Sequence, residues 1–206
     1  MMGDSTVVID YGCGNLFSVE NAVKKITRNF CVTSNAEVIF EAQKLILPGV
    51  GSFRIAMENL ESLGLVSVIR ECANKGTPIL GICLGMQLLL SKGYEHGETD
   101  GLNLVHGEVI PFIPTKSDRV PHIGWNDIFS GDDKPLYLEG IEDGTSFYFV
   151  HSYYCDLKED CRHIKTHYCD QDVVVGVQKE NVMGVQFHPE KSQDAGLNLL
   201  KNFINS

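Results

Sequence analysis

The stretch "PILGICLGMQLL", residues 78–89, decides how this chain folds. It begins as an uninterrupted apolar run of strand length. It ends with leucine and methionine at helical spacing, and a lone cysteine, Cys83, stands at the junction. Gly81 and Gly85 flank that cysteine two positions away on either side. A sharp strand-to-helix turn crowds the backbone, so small residues are needed on both flanks. Such a turn presents one side chain at the top of a sheet, beside the free N–H groups that open the next helix, where an anion is favoured. A thiol in that setting ionises more easily, and the thiolate is the nucleophile. The competing reading is a small core residue, because free cysteine is among the most buried residue types. The rest of the chain has to separate the two.

Outward from this corner, the N-terminal half alternates strand and helix patterns. "STVVIDYG" (5–12) reads as a strand, "NLFSVENAVKKIT" (15–27) as a helix capped by Asn15, "FCVTS" (30–34) as a strand and "EVIFEAQ" (37–43) as a short helix. The strand "KLILPGVG" (44–51) follows, then helical material over 52–76 closed by Gly76, then the strand 78–83 and a helix over 84–93. Repeated β-α units imply a mainly parallel open sheet with helices on both faces and right-handed crossovers. The second half is strand-rich: 102–113, 146–157, 163–178 and 182–190 are strand-like, with turns such as "GDDKP" (131–135) between them, and 194–206 reads as a final amphipathic helix. The expected fold class is therefore α/β, one domain over residues 1–206, of flavodoxin-like type.

A chain of 206 residues with a formal charge of −10 lacks the basic face of a nucleic-acid binder and has no attraction to an anionic membrane. No apolar stretch is long enough to span a bilayer, and "MMGDSTVVIDYG" does not read as a signal segment, so a cytoplasmic location is expected. Seven cysteines without framework spacing read as reduced thiols. Cys155, Cys161, His163, His167 and Cys169 are close in sequence, but they lack a C-x-x-C pair, and "HIKTHYC" alternates like a strand, sending its side chains to opposite faces. No metal site and no cofactor are expected. His163 and His167 read as strand surface, His96 and His106 as loop or turn.

Open sheets bind ligands beyond the carboxyl ends of their strands, which gathers "DYGCGN" (10–15), "PGVGSF" (48–53) and "GICLG" (81–85) in one neighbourhood. "DYGCGN" is a poor dinucleotide loop, because Phe17 stands where a third glycine belongs. In "PGVG", glycines on both sides of Val50 allow peptide N–H groups to turn toward an oxyanion, with a second donor expected from Leu84, the residue after the nucleophile. The plainer reading is an ordinary turn with Ser52 capping the next helix. "QFHPE" (186–190) supplies a base: the proline holds His188 extended at a strand end, and Glu190 can reach back to orient the imidazole.

"PGVG", "GICLGMQ" and "FHPEKS", in this order, resemble the class I (triad) glutamine amidotransferases, with Cys83, His188 and Glu190 matching the triad. "DYGCGN", "VPHIGWN" (120–126) and "YFVHSYY" (148–154) narrow the resemblance to the glutaminase subunits of imidazole glycerol phosphate synthase, over essentially the whole chain. The resemblance implies that Gln87, Glu95 and the backbone at Ser152 and Tyr153 hold glutamine beside Gly49 and Gly51. It also implies a heterodimer with a (β/α)8-barrel cyclase that receives the ammonia, docked through Asn15, His122, Trp125 and Lys191. The alternatives are a related glutaminase subunit feeding a sugar amidotransferase of surface-polysaccharide synthesis, a peptidase-like or chaperone-like relative, and a catalytically silent regulatory subunit. "HPE" on a late strand together with "GMQ" favours glutamine, and all three triad positions are filled.

Overall fold

The computed structural model describes residues 5–116, 118–131 and 134–206. In chain order, β1 (Thr6–Ile9), α1 (Leu16–Lys24), β2 (Phe30–Thr33), α2 (Ala36–Phe40) and β3 (Lys44–Gly49) lead into α3 (Phe53–Ser62), α4 (Leu65–Asn74), β4 (Ile79–Cys83) and α5 (Leu84–Leu88). The Asn15 side chain caps α1 by accepting from the Ser18 N–H at 3.3 Å. The helical stretch 52–76 is divided at Gly64, whose φ of +67° is open to glycine at little steric cost. Next come β5 (Leu90–Gly93), β6 (Thr99–Asp100), β7 (Val105–Pro111), β8 (His122–Ile128), β9 (Thr145–His151), β10 (Tyr153–Leu157), β11 (Arg162–Tyr168), β12 (Gln171–Lys179) and β13 (Val182–Val185). The chain ends in α6 (Gln193–Asn205).

Five parallel strands, in the order β2-β1-β3-β4-β13, form the heart of the sheet. From β13 the sheet continues through antiparallel β12 to β10, β7, β5 and β6, with β11 folded onto β12 as a hairpin. Side chains alternate between the faces: Val7 and Ile9 enter one apolar cluster and Val8 the other, so each face of β1 is buried.

Three sequence expectations change. The helix expected over 84–93 stops at Leu88, and Leu90–Gly93 is a strand parallel to β7. Leu88, Leu89 and Leu90 are all fully buried, so the run has no solvent face to hold an amphipathic helix, and its length alone could not separate strand from helix. The strand-like segment 146–157 is two strands in two sheets. β9 pairs with β8 in a separate two-stranded sheet, whereas β10 pairs with β7 in the main one, and the chain changes sheets at Ser152. His106 lies on β7 rather than in a loop. Asp132 and Asp133 of the expected "GDDKP" turn lie outside the described residues.

Candidate active site

The corner at Cys83 is as tight as its glycines imply. Cys83 has φ +55° and ψ −110°, a conformation that costs a non-glycine residue energy and persists only where the surroundings enforce it. A Cβ on Gly81 would sit 2.6 Å from the Gly85 carbonyl oxygen, and one on Gly85 would sit 1.8 Å from that of Leu47. Helix α5 is only five residues long, so its dipole is small, and the unsatisfied N–H groups of its first turn are what remains of the expected anion-favouring end.

Parallel pairing of β3 with β4 sets Gly49 opposite Cys83, which brings "PGVG" to the nucleophile corner. Gly51 takes φ +119°, and Val50 lies half-exposed above it. A cleft of about 330 Å³ gathers Val50, Gly51, Cys83, Leu84, Gln87, Glu95, Ser152 and Tyr153, with His151 and Val150 in its wall. Most of the residues expected around glutamine thus share one cleft although they come from sequence-distant turns; Gly49 lies beneath it, packed against the Tyr11 hydroxyl and Gly85. Ser52 makes no cap bond to α3. Instead the Glu95 carboxylate accepts from the Phe53 N–H at 2.7 Å, tying the loop after β5 to that helix end.

His188 and Glu190 leave β13 on a short 3-10 turn. His188 Nδ1 meets Glu190 Oε1 at 2.8 Å, with both side chains at most 2% exposed. The turn is held to β9 by two bonds, from the His188 N–H to the Tyr148 carbonyl at 2.9 Å and from the Tyr148 N–H to the Ser192 hydroxyl at 3.0 Å, and the same hydroxyl closes the turn by donating to the His188 carbonyl at 2.7 Å. With Nδ1 engaged, Nε2 is the ring nitrogen left for proton transfer. It is buried and faces the Cys83 sulfur, which favours a proton on the ring. Burial disfavours the imidazolium, but Cys83 and Glu190 together outweigh it and hold the His188 pKa at about 10.

Three polar residues at this site escape sequence reasoning. Ser192 anchors the His188 turn, Gln186 is fully buried beside Cys83, and His151 is buried in the cleft wall. His151 Nδ1 bonds the Tyr153 carbonyl at 2.8 Å, and its Nε2 meets Nδ1 of His122 at 3.0 Å. Burial lowers both histidines, His151 to about 3 and His122 to about 4.

Of the four expected docking residues, Trp125 and Lys191 meet around Tyr148: the indole packs edge-on at 6.1 Å between ring centroids, and the Lys191 ammonium lies 5.7 Å from the tyrosine ring. Trp125 and its neighbour Ile123 are exposed. The Asn15 side chain is engaged in capping. His122 does not face outward. Its ring is stacked between Phe149 and Tyr168.

Cys155 and Cys169 are buried, while the His163 and His167 side chains follow the strand β11. Among the described residues, no group of three or more His, Cys, Asp or Glu side chains could hold a metal ion, and no helix is long and apolar enough to cross a membrane.

Comparison with known proteins gives the family. The sequence pattern of the family "Glutamine amidotransferase class-I" covers residues 7–206. The imidazole glycerol phosphate synthase subunit HisH of Aquifex aeolicus is 50% identical over 96% of this chain and 95% of its own. Subunit HisH 1 of Campylobacter jejuni strain RM1221 is 45% identical over 96% of this chain and 98% of its own. In three dimensions, a glutamine amidotransferase from Thermotoga maritima superposes with a TM-score of 0.68 at 17% identity, covering 98% of both chains, a likeness of fold. The chain belongs to the class-I glutamine amidotransferases, in the family of the imidazole glycerol phosphate synthase subunits HisH.

Proposed function

We propose that this protein is the glutaminase subunit of an imidazole glycerol phosphate synthase, with Cys83, His188 and Glu190 as its triad. The observation that carries the reading is the strained Cys83 corner, opposite Gly49 and under one cleft with the residues expected to hold glutamine. The Cys83 thiolate adds to the side-chain carbonyl of glutamine. The N–H groups of Val50 and Leu84 stabilise the resulting oxyanion, the Val50 peptide turning inward for this purpose. Collapse of the tetrahedral adduct breaks the C–N bond as His188 Nε2 gives its proton to the departing nitrogen, releasing ammonia and leaving a glutamyl thioester. Neutral His188 then takes a proton from water, the hydroxide attacks the thioester, and glutamate leaves as the thiolate is restored. Glu190 keeps the ring in the orientation that points Nε2 at the cleft.

Ammonia released into water becomes ammonium and is no longer nucleophilic, so the product has to pass directly to a second active site. The relatives' names point to a synthase subunit. The reading gives it a (β/α)8 barrel that forms a heterodimer over the exposed Ile123, Trp125 and Lys191 surface and receives ammonia through a sheltered channel to close the imidazole ring in histidine biosynthesis, a lyase step. Asn15 contributes to this docking through its place at the start of α1. Seven free cysteines suit a reducing cytoplasm.

The test is to treat the protein with a glutamine-like electrophile and map the adduct, then to assay Cys83→Ser with the cyclase subunit of the same organism. Adduct at Cys83, loss of glutamine-dependent turnover and retention of ammonia-dependent turnover are expected. Modification of Cys13, Cys72 or Cys169 in preference, or glutamine turnover surviving in Cys83→Ser, would overturn the assignment.

A further inference from the structure

Gln186 is fully buried one residue beyond β13, with its backbone N–H bonded to the Val175 carbonyl at 2.9 Å. A primary amide is costly to bury unless each polar end is met. Here Oε1 accepts from Gln87 Nε2 at 2.9 Å, and Nε2 donates to the Cys83 sulfur at 3.7 Å. The sulfur also faces the His188 imidazole and makes a marginal contact, at 4.0 Å, with the Val150 carbonyl.

Chemistry alone sets the direction of this chain. The Tyr153 carbonyl can only accept, and it takes one bond from His151 Nδ1 at 2.8 Å and one from Gln87 at 3.2 Å. Gln87 must therefore turn its NH2 group toward Tyr153. That same NH2 group also faces Gln186, so Gln186 must answer with its carbonyl oxygen, and its own NH2 group is left pointing at Cys83. A reversed Gln186 would set two NH2 groups face to face and press a carbonyl oxygen against sulfur. His151 is fixed in the same way. Its Nδ1–H is committed to Tyr153, so Nε2 accepts from His122, and the His122 ring in turn faces the Asn126 amide at 3.4 Å.

We propose that Gln186 is a further catalytic residue of the glutaminase reaction, whose side-chain N–H holds the Cys83 sulfur and favours its anion. This rests on the reading of Cys83 as the nucleophile. A donor aimed at the charged form of an acid stabilises that form, and the thiolate exists at two points of the cycle, before attack on the amide and as the leaving group when water opens the thioester. Gln186 acts on sulfur at both, whereas the oxyanion donors act on the substrate oxygen between them. Gln87 is a positioning residue for it, because its bond to the Tyr153 carbonyl dictates which end of the Gln186 amide meets the sulfur.

A donor that favours a thiolate also makes it a weaker nucleophile, so its effect depends on pH in a way that a packing defect does not imitate. The experiment follows modification of Cys83 by iodoacetamide, a small neutral electrophile, in the full chain, resolving each cysteine by mass spectrometry from pH 5.5 to 10. Gln186→Met keeps the volume and removes the donor, and Gln186→Asn keeps an amide but draws it back by one methylene. Both variants are expected to react about tenfold more slowly than native protein at pH 7 and to converge with it, or overtake it, once the thiol is fully ionised. One folded variant is enough for the comparison, with circular dichroism and thermal unfolding as the check on folding. Equal rates at pH 7, or a loss of the same size at every pH, would overturn the role of Gln186 while leaving Cys83 as the nucleophile. A native protein that takes the label elsewhere and leaves Cys83 untouched would overturn both.

Discussion

Replacing Glu190 by glutamine tests how the triad divides its work. In the native site one carboxylate oxygen meets His188 Nδ1 at 2.8 Å, and the other, Oε2, is buried with no hydrogen-bond partner. Glutamine can keep its carbonyl oxygen toward Nδ1, which preserves the tautomer and the direction of Nε2. Its NH2 group then occupies the place of Oε2, where no acceptor waits. A hydrogen bond to a charged group contributes about 1.5–3 kcal/mol and a neutral one about 0.5–1.5 kcal/mol, so the substitution removes roughly 1–2 kcal/mol of support for the imidazolium. That corresponds to about 5- to 30-fold in turnover at neutral pH, where the imidazolium must protonate the departing nitrogen. His188→Ala removes the proton donor and acceptor outright and is expected to cost more than about 10³-fold. The two variants also differ in pH dependence. Cys83 and Glu190 hold His188 at about 10 against its burial, so loss of the carboxylate lowers that value and the alkaline limb of activity moves to lower pH. Glutamate release with saturating cyclase subunit, measured from pH 6 to 10.5 for the native protein and both variants, provides the check. Equal losses in the two variants, or an unmoved alkaline limb in Glu190→Gln, would refute the orienting role.

Gly85→Ala places a Cβ 1.8 Å from the Leu47 carbonyl oxygen, so α5 has to move from β3 by roughly 1 Å, at a cost of about 1–3 kcal/mol in stability and about 10²-fold in turnover. Native melting and native turnover in that variant would contradict the packing described for the corner. The chain alone is expected to release glutamate slowly and to gain about 10²- to 10³-fold with cyclase subunit and acceptor analogue, as the Val50 peptide turns its N–H into the oxyanion site; full activity without the partner would rule this out. Gly51→Ala is the cleaner probe of that turn, because a Cβ there meets nothing within 4 Å and acts only through its φ of +119°, whereas one on Gly49 strikes the Tyr11 hydroxyl at 2.6 Å. It is expected to change the ratio of activated to basal turnover, and an unchanged ratio would move the switch elsewhere. Stability should peak near neutral pH. His122 and His151, lowered to about 4 and 3, refuse protons that the unfolded chain accepts below about 6.5, so stability falls as pH drops through that window. His188, raised to about 10, contributes fully below about 6.5 and loses its contribution as pH rises toward that value. Melting temperatures at pH 5, 6.5 and 9.5 check both limbs, and a flat profile on the acid side would show that the buried histidine pair does not behave as described.

What the sequence determines by itself is local. Alternation of apolar runs, Asn15 at a helix start and glycines two positions either side of Cys83 are properties of neighbouring residues, and the β-α order and the strained corner follow from them. "HPE" likewise sets its own internal bond, because His188 and Glu190 are two positions apart. The triple leucine after Gln87 already exceeds that reach. A run apolar on every side fits a strand or a helix equally, and only the neighbouring β7 decides that Leu90–Gly93 is a strand. The segment 146–157 reads as one strand, yet Ser152 divides it between two sheets because each half pairs with a different partner. Glu95 rather than Ser52 serves the start of α3 from 42 positions away. Gln186 reaches Cys83 across 103 positions, and its amide direction is set by Gln87 and Tyr153. Periodicity and turn chemistry act through adjacent peptide units and leave a trace in the sequence. A buried hydrogen bond has to be satisfied by whatever group the packed chain brings within about 3 Å, and a residue's neighbours in sequence do not say which group that will be.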